Sequence, residues 1–252
     1  MQGLLERAWE LHSRAEDARL PHLVRPSVPI LYFGDSTSYE RSVVKVVTVG
    51  LNPSRLEFPA SHPFQRFPAA QGVSRSLLDG SLDRYRSALD AYFRVDPYGA
   101  WFKPTFEELL RGLGSSYFDG AESAALHTDL CSPLATSPTW TGLSEREQSA
   151  LIGDGTTLWH DLIEYLQPDV VLISIKRDHL RKIRFPVVTT PYPVYRVERK
   201  RPYVIEASRR RLASGKESLF AFGMAAQIPF GLISGATKRA AGETIRRVLD
   251  AR

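Results

Sequence analysis

The sequence predicts an α/β fold with a mostly parallel central sheet and helices on both sides, a three-layer α/β/α sandwich. Three observations carry this. Apolar, β-branched runs alternate with segments of helical periodicity along the 252 residues. The run Asp169–Ile175 is β-branched and apolar apart from Asp169 and Ser174, as in a strand buried on both faces. The run Val43–Val49 leads straight into Gly50-Leu51-Asn52-Pro53-Ser54, the kind of loop that lines a crevice at the carboxyl end of a strand in an open sheet.

Element by element, Leu4, Leu5, Ala8, Trp9 and Leu11 predict an amphipathic first helix. Val28–Phe33 and Val43–Val49 are expected as strands, and the turn-rich segment 34–38 between them suits a hairpin. A Phe- and Pro-rich loop to Gly72 follows. Helical patterns occupy Ser74–Phe93 and Pro104–Leu113, and Ala124–Thr128 is a short strand. Leu158–Leu166 is a helix that Pro168 stops before the strand at Asp169. Val187–Tyr195 and Pro202–Glu206 are short strands around a basic turn, Ser218–Phe222 is another strand, and Gly235–Arg252 is a closing helix. No linker separates two complete patterns. One domain over residues 1–252 is expected, with 1–42 as an N-terminal helix and hairpin extension and 176–252 as the basic C-terminal part.

Composition narrows the function. At 43% hydrophobic residues the chain has enough apolar surface for a sizeable core, and no apolar run approaches the roughly 20 residues that span a bilayer. Its first 20 residues lack a secretory apolar segment, and one cysteine, Cys131, allows no internal disulfide, so a cytoplasmic monomer is expected. Net charge is +5, unevenly placed: residues 176–252 hold 18 basic and 6 acidic residues. A segment so basic points to a polyanion, DNA in single- or double-stranded form, beside the plainer reading of a solvated basic surface. Paired ligand spacing for zinc, phosphate-binding glycine loops and a nucleophile elbow are all missing from the sequence. A metal-dependent nuclease would need a second carboxylate near Lys176, where the sequence has Ser174. No metal or cofactor is therefore expected.

Several segments, in order, resemble the uracil-DNA glycosylase superfamily, above all its mismatch-specific and single-strand-selective branches. The strand ending in Gly50-Leu51-Asn52-Pro53-Ser54 is similar to the first motif of those branches. Pro63-Phe64-Gln65-Arg66-Phe67 lies where the family carries a base-stacking aromatic. Leu126-His127-Thr128-Asp129 lies where it has a strand ending in a base-reading amide. Leu162–Ile175 resembles the helix, proline and strand before the second catalytic loop, and Ile233-Ser234-Gly235-Ala236-Thr237-Lys238 resembles the start of the last helix. The likeness spans about Val43 to Leu249. It departs from the family three times: no histidine follows His179, Ala236 stands where the mismatch branch has a wedging leucine, and Asp129 is a carboxylate where the family has an amide.

The resemblance implies a metal-independent DNA glycosylase acting on a base turned out of the helix. Catalytic roles then fall to Asn52, which would position water, to Asp129 at the base edge, and to His127, two residues earlier on the same strand face. Gly50, Leu51, Pro53, Ser54, Phe64 and Phe67 would bind the substrate. Ser234, Gly235, Thr237, Lys238 and Arg239 would hold a DNA phosphate at a helix N-terminus. Each has a plainer alternative: a β-turn for Asn52, core packing for the phenylalanines, a turn cap for Asp129 and a structural hydrogen bond for His127. An ionised Asp129 only accepts hydrogen bonds and would suit an exocyclic amine, so a modified cytosine is the expected base. A non-catalytic nucleic-acid-binding relative is the alternative function.

Overall fold

The computed structural model describes residues 1–118 and 120–251, with side chains except at 77–79. In chain order the elements are α1 (Gln2–Asp17), α2 (Ser36–Glu40), β1 (Val46–Gly50), α3 (Leu78–Asp90), α4 (Tyr92–Val95), α5 (Gly99–Phe102), α6 (Glu108–Gly112), β2 (Ser115–Ser116), β3 (Ser123–Asp129), α7 (Glu145–Leu166), β4 (Val170–Ile173), β5 (Tyr192–Val197), β6 (Tyr203–Arg211), β7 (Glu217–Gly223) and α8 (Gly235–Asp250). This is an α/β chain. Its seven strands form one mixed, mostly parallel sheet in the order β2-β3-β1-β4-β7-β6-β5. The pairs β2–β3, β1–β4 and β4–β7 are parallel, while β7–β6 and β6–β5 are antiparallel.

Two compact units are built from interleaved segments. The first comprises Met1–Asp35, Gly50–Tyr98 and Thr128–Tyr165; the second comprises Ser36–Val49, Gly99–His127 and Leu166–Arg252.

The second unit holds most of the sheet. Every residue of β1 and β4 is buried, which explains their unbroken apolar runs. Its helices α6 and α8 meet backbone to backbone at two glycines. A Cβ on Gly112 would lie 2.1 Å from the Arg239 carbonyl oxygen, and one on Gly242 would lie 2.1 Å from that of Leu109. Asp169, just before β4, is committed to structure: its Oδ2 accepts the Lys45 amide at 2.9 Å, and its Oδ1 pairs with Lys216 at 2.8 Å.

The first unit packs α1 on α3 through Trp9 and Tyr85, whose rings meet edge to face at 5.4 Å. Tyr85 then donates to the Pro29 carbonyl at 2.7 Å. Helix α7 lies close to the chain at Cys131, where a Cβ on Gly155 would stand 2.2 Å from the Cys131 carbonyl oxygen. Trp159 on α7 donates its indole N–H to Thr128 Oγ1 at 3.0 Å.

Most sequence expectations are met within a few residues; four differ. Val28–Phe33 is buried but is not a strand, so there is no hairpin, and 36–40 is a short helix. Pro29 removes an N–H group that a ladder would need. Helix α7 begins thirteen residues earlier than the apolar pattern indicates, at Glu145, because Gly153 and Gly155 dilute its first half. The helix expected at Pro104–Leu113 starts as a π-helical turn over Lys103–Glu107. The first strand of the basic hairpin is displaced to Tyr192–Val197, and its partner runs on to Arg211. The last residue of the expected closing helix, Arg252, lies outside the described residues.

Candidate functional site

Strands β1 and β3 are neighbours in the sheet. Their pairing continues past the strands: the Leu130 amide donates to the Gly50 carbonyl at 3.1 Å, and the Cys131 amide to that of Leu51 at 2.9 Å. Asn52 and Asp129 thus leave adjacent strands at the same end of the sheet.

The Asn52 side chain is heavily engaged. Its amide nitrogen donates to Thr136 Oγ1 at 2.7 Å, Pro53 O at 2.9 Å and Leu134 O at 3.3 Å, and its Oδ1 accepts the Trp140 amide at 2.9 Å. Thr136 Oγ1 passes its own proton to the Pro138 carbonyl at 2.7 Å. Asn52 therefore fastens the loop after β1 to the segment 134–140. Pro53 is buried, and its carbonyl accepts the Thr136 amide at 3.2 Å. Ser54 caps the 3-10 turn Arg55–Glu57 by accepting the Leu56 amide at 3.1 Å. Gly50 and Leu51 contribute backbone carbonyls to the strand continuation.

That short turn delivers a residue the sequence did not single out. Glu57 is 5% exposed, and Tyr92 of α4 donates to its Oε2 at 2.6 Å. Burial pushes the Glu57 carboxyl up to about 7, against the opposing pull of the Tyr92 hydroxyl and the Arg66 guanidinium. Arg66 is itself held by the Asp96 and Leu56 carbonyls at 2.6 and 3.1 Å, with Asp96 Oδ2 at 3.3 Å. Asp129 is 8% exposed; burial first, and the Glu57 charge second, hold its carboxyl well above the usual carboxylate range. Both causes work against the ionised Asp129 expected from the sequence.

The two phenylalanines part company. Phe67 is fully buried, stacked on Phe58 at 5.4 Å and packed near Tyr92 and Phe33, so it has no face to offer a base and belongs to the core. Phe64 is half-buried, its ring edge to face with Phe58 at 6.3 Å.

His127 is also corrected. It lies in the second unit, 3% exposed, with Nδ1 2.8 Å from Thr48 Oγ1, which also bonds to the Tyr117 hydroxyl. The rings of Trp101, Phe102 and Phe106 surround it at 5.1–6.0 Å. Burial pushes its imidazole down to about 3, so it is neutral and structural.

At the start of α8, Ser234 accepts the Thr237 amide at 3.2 Å and bonds to the Thr237 hydroxyl at 2.8 Å; Ser234 and Gly235 are exposed. Lys238 is not available to a phosphate: it is 4% exposed, and its Nζ donates to the Pro104 carbonyl. Arg239 is exposed but paired with Glu108 at 2.8 Å. Elsewhere in this unit Lys176, Arg181, Lys200 and Arg201 are exposed, and Arg177 and Arg211 form ion pairs with Glu206 and Glu217. Among the described residues no helix is long and apolar enough to cross a membrane.

The sequence matches no family model, no curated protein and no solved structure.

Proposed function

We propose that the chain is a metal-independent DNA glycosylase, hydrolysing the bond between a flipped-out base and its sugar at the site formed by the loop after β1 and the end of β3. The observation that carries this reading is the emergence of Asn52 and Asp129 from adjacent strand ends at the same end of the sheet. Carboxyl-end loops of an open sheet are where such folds place their ligands. The wider expectations of a glycosylase-like three-layer sandwich, a cytoplasmic location and a monomer belong to the same proposal.

Asn52 shapes the loop rather than presenting a free amide to water. Phe64 keeps a partly exposed ring on which an unstacked base can rest, offsetting a few kcal/mol of unstacking. Asp129 meets the edge of the base. The exposed basic residues of the second unit attract the DNA backbone.

The test is incubation of the purified protein with oligonucleotides carrying uracil, hypoxanthine, alkylated bases or modified cytosines, followed by alkali. Alkali-sensitive sites formed without added metal support the reading. Binding with no abasic product supports the alternative, a non-catalytic nucleic-acid-binding protein, which the full engagement of the Asn52 amide favours.

A further inference from the structure

The second unit carries a small cavity on one face of its sheet. Glu206 of β6 stands opposite Phe222 of β7, and Ser208 stands opposite Phe220; Arg210 follows two residues on, so all five side chains share that face. The 3-10 turn Arg177–Lys182 lies over them and closes a cavity of about 60 Å³.

Two arginines reach the cavity, each seated on a ring. The Arg177 guanidinium lies 4.9 Å from the centre of the Phe222 ring, and that of Arg210 lies 5.5 Å from the centre of Phe220. A ring beneath a guanidinium holds its flat face and leaves its N–H edge to an acceptor. Arg210 donates through Nη1 to the Ile183 and Phe185 carbonyls at 3.2 and 3.1 Å. Half-buried as it is, it has no carboxylate partner among the described residues. Arg177 gives Nη2 to Glu206 Oε2 at 2.8 Å, which leaves the rest of its fork open. Ser208 is 5% exposed and lines the cavity, and among the described residues its hydroxyl makes no hydrogen bond. A buried hydroxyl without a partner is an exception in a folded chain and calls for a reason.

We propose that this cavity binds a phosphoryl group, carried by inorganic phosphate, by a nucleotide or by the terminus of a nucleic acid. Arg177, Ser208 and Arg210 bring donors to one small space, and an oxyanion accepts from all of them. Charge selects the anion. Two guanidiniums meet one carboxylate, Glu206, and residues 176–252 hold 18 basic and 6 acidic residues. Such a field favours a doubly charged phosphoryl group over a singly charged carboxylate. Glu206 opposes the anion and competes with it for Arg177. At its volume the cavity takes one small group, so the sugar and base of a larger ligand stay outside. None of these side chains takes part in the proposed hydrolysis, so the site stands or falls independently of it.

The test is a titration of the full chain followed by heteronuclear NMR at the Ser208 amide and at the Arg177 and Arg210 Nε–H groups. The probes are inorganic phosphate, a nucleoside monophosphate, a terminally phosphorylated oligonucleotide, its unphosphorylated counterpart and acetate, all at one ionic strength. Phosphate is expected to shift these signals at concentrations where acetate does not. Ser208→Ala should weaken phosphate binding about tenfold and leave the melting temperature unchanged, since this hydroxyl holds nothing in the fold. Arg177→Gln should weaken binding by a similar factor, and Glu206→Gln, which removes the opposing charge, should tighten it. Arg210→Gln should weaken it most. Because Arg210 also anchors Ile183 and Phe185, Ser208→Ala and Arg177→Gln carry the test if that variant does not fold.

The carrier follows from the ranking of probes. Equal binding of phosphate and the phosphorylated ligands supports a site for free phosphate, and tighter binding of the nucleoside monophosphate supports a nucleotide. Tightest binding of the phosphorylated oligonucleotide, with loss in its unphosphorylated counterpart, supports a nucleic-acid terminus. Signals unmoved by phosphate up to about 10 mM overturn the proposal. So do equal shifts with acetate, or phosphate binding undiminished in both Ser208→Ala and Arg177→Gln.

Discussion

Tyr92 donates its hydroxyl proton to Glu57 Oε2 at 2.6 Å while accepting the Tyr98 amide at 3.0 Å, so one phenol ties a buried carboxyl to the turn after α4. Tyr92→Phe removes the one and leaves the Tyr98 amide without that acceptor. Because the hydroxyl favours the charged carboxylate, its loss should move Glu57 above about 7. Carboxyl-carbon NMR titration of Glu57 checks the direction; an unmoved or lowered midpoint contradicts it. The stability cost should be about 1–3 kcal/mol.

Glu57 also makes stability depend on pH. Below its ordinary value of 4.5, folded and unfolded chains both hold the proton, and the full stability is present. Between 4.5 and about 7 only the folded chain keeps it, so stability falls as pH rises, by on the order of 3 kcal/mol in all. His12, which burial pushes down to about 4, and His127 act in the opposite sense, losing stability as pH falls below 6.5. Both remain in Glu57→Gln, so the difference between the two denaturation curves should report Glu57 together with its effect on Asp129. Parallel curves across this window would show that Glu57 titrates normally.

Asn52→Ala breaks the fastening of the loop to segment 134–140 and leaves the Trp140 amide without its acceptor. We expect a loss of about 1–3 kcal/mol in urea denaturation. Thr136→Val should reproduce part of it, since Thr136 Oγ1 links Asn52 to Pro138. An undisturbed midpoint in both variants would return the Asn52 amide to the role of a free water-binding group.

Gly242→Ala and Gly112→Ala drive a methyl into a neighbouring carbonyl oxygen 2.1 Å away, on α6 and on α8 respectively. Each should cost at least about 1–3 kcal/mol. Gly153→Ala, also in a helix but with no atom within 4 Å, should be neutral or stabilising by about 0.5–1 kcal/mol. Equal effects at all three positions would remove close approach as the cause.

Under the DNA-binding proposal, Lys238→Gln should leave affinity nearly unchanged, because Lys238 is turned inward to Pro104. Lys200→Glu with Arg201→Glu, both exposed, should weaken binding by about tenfold at low salt, less at high salt. Fluorescence anisotropy at two salt concentrations decides between the positions. The reverse order would place the contact at the start of α8.

The buried strands β1 and β4 could be read from the sequence because a strand covered on both faces has a largely apolar run. The same composition misleads at Val28–Phe33, where burial is real but Pro29 removes a ladder N–H. Half of α7 was hidden because Gly155 serves a close approach to Cys131 that only tertiary structure reveals. At the site, the Gly50–Ser54 loop and Asp129 announced themselves through strand ends and turn residues. Glu57 did not: a glutamate in a loop is ordinarily exposed, and what buries this one includes Tyr92, 35 residues further on. Lys238 erred the other way, its position in a basic helix start concealing an inward turn.

The interleaving of the two units bears on how the chain can be made. The first unit is unfinished until Tyr165 has been synthesised, and β1 must wait for β4, more than 100 residues later, to gain its partner on that side. Neither unit can be expressed as one contiguous fragment. A nascent chain stalled before β4 displays β1 with one edge unpaired and largely apolar, a form prone to aggregate or to recruit chaperones. Folding therefore awaits nearly the whole polypeptide, and C-terminal truncation should forfeit the sheet rather than trim it.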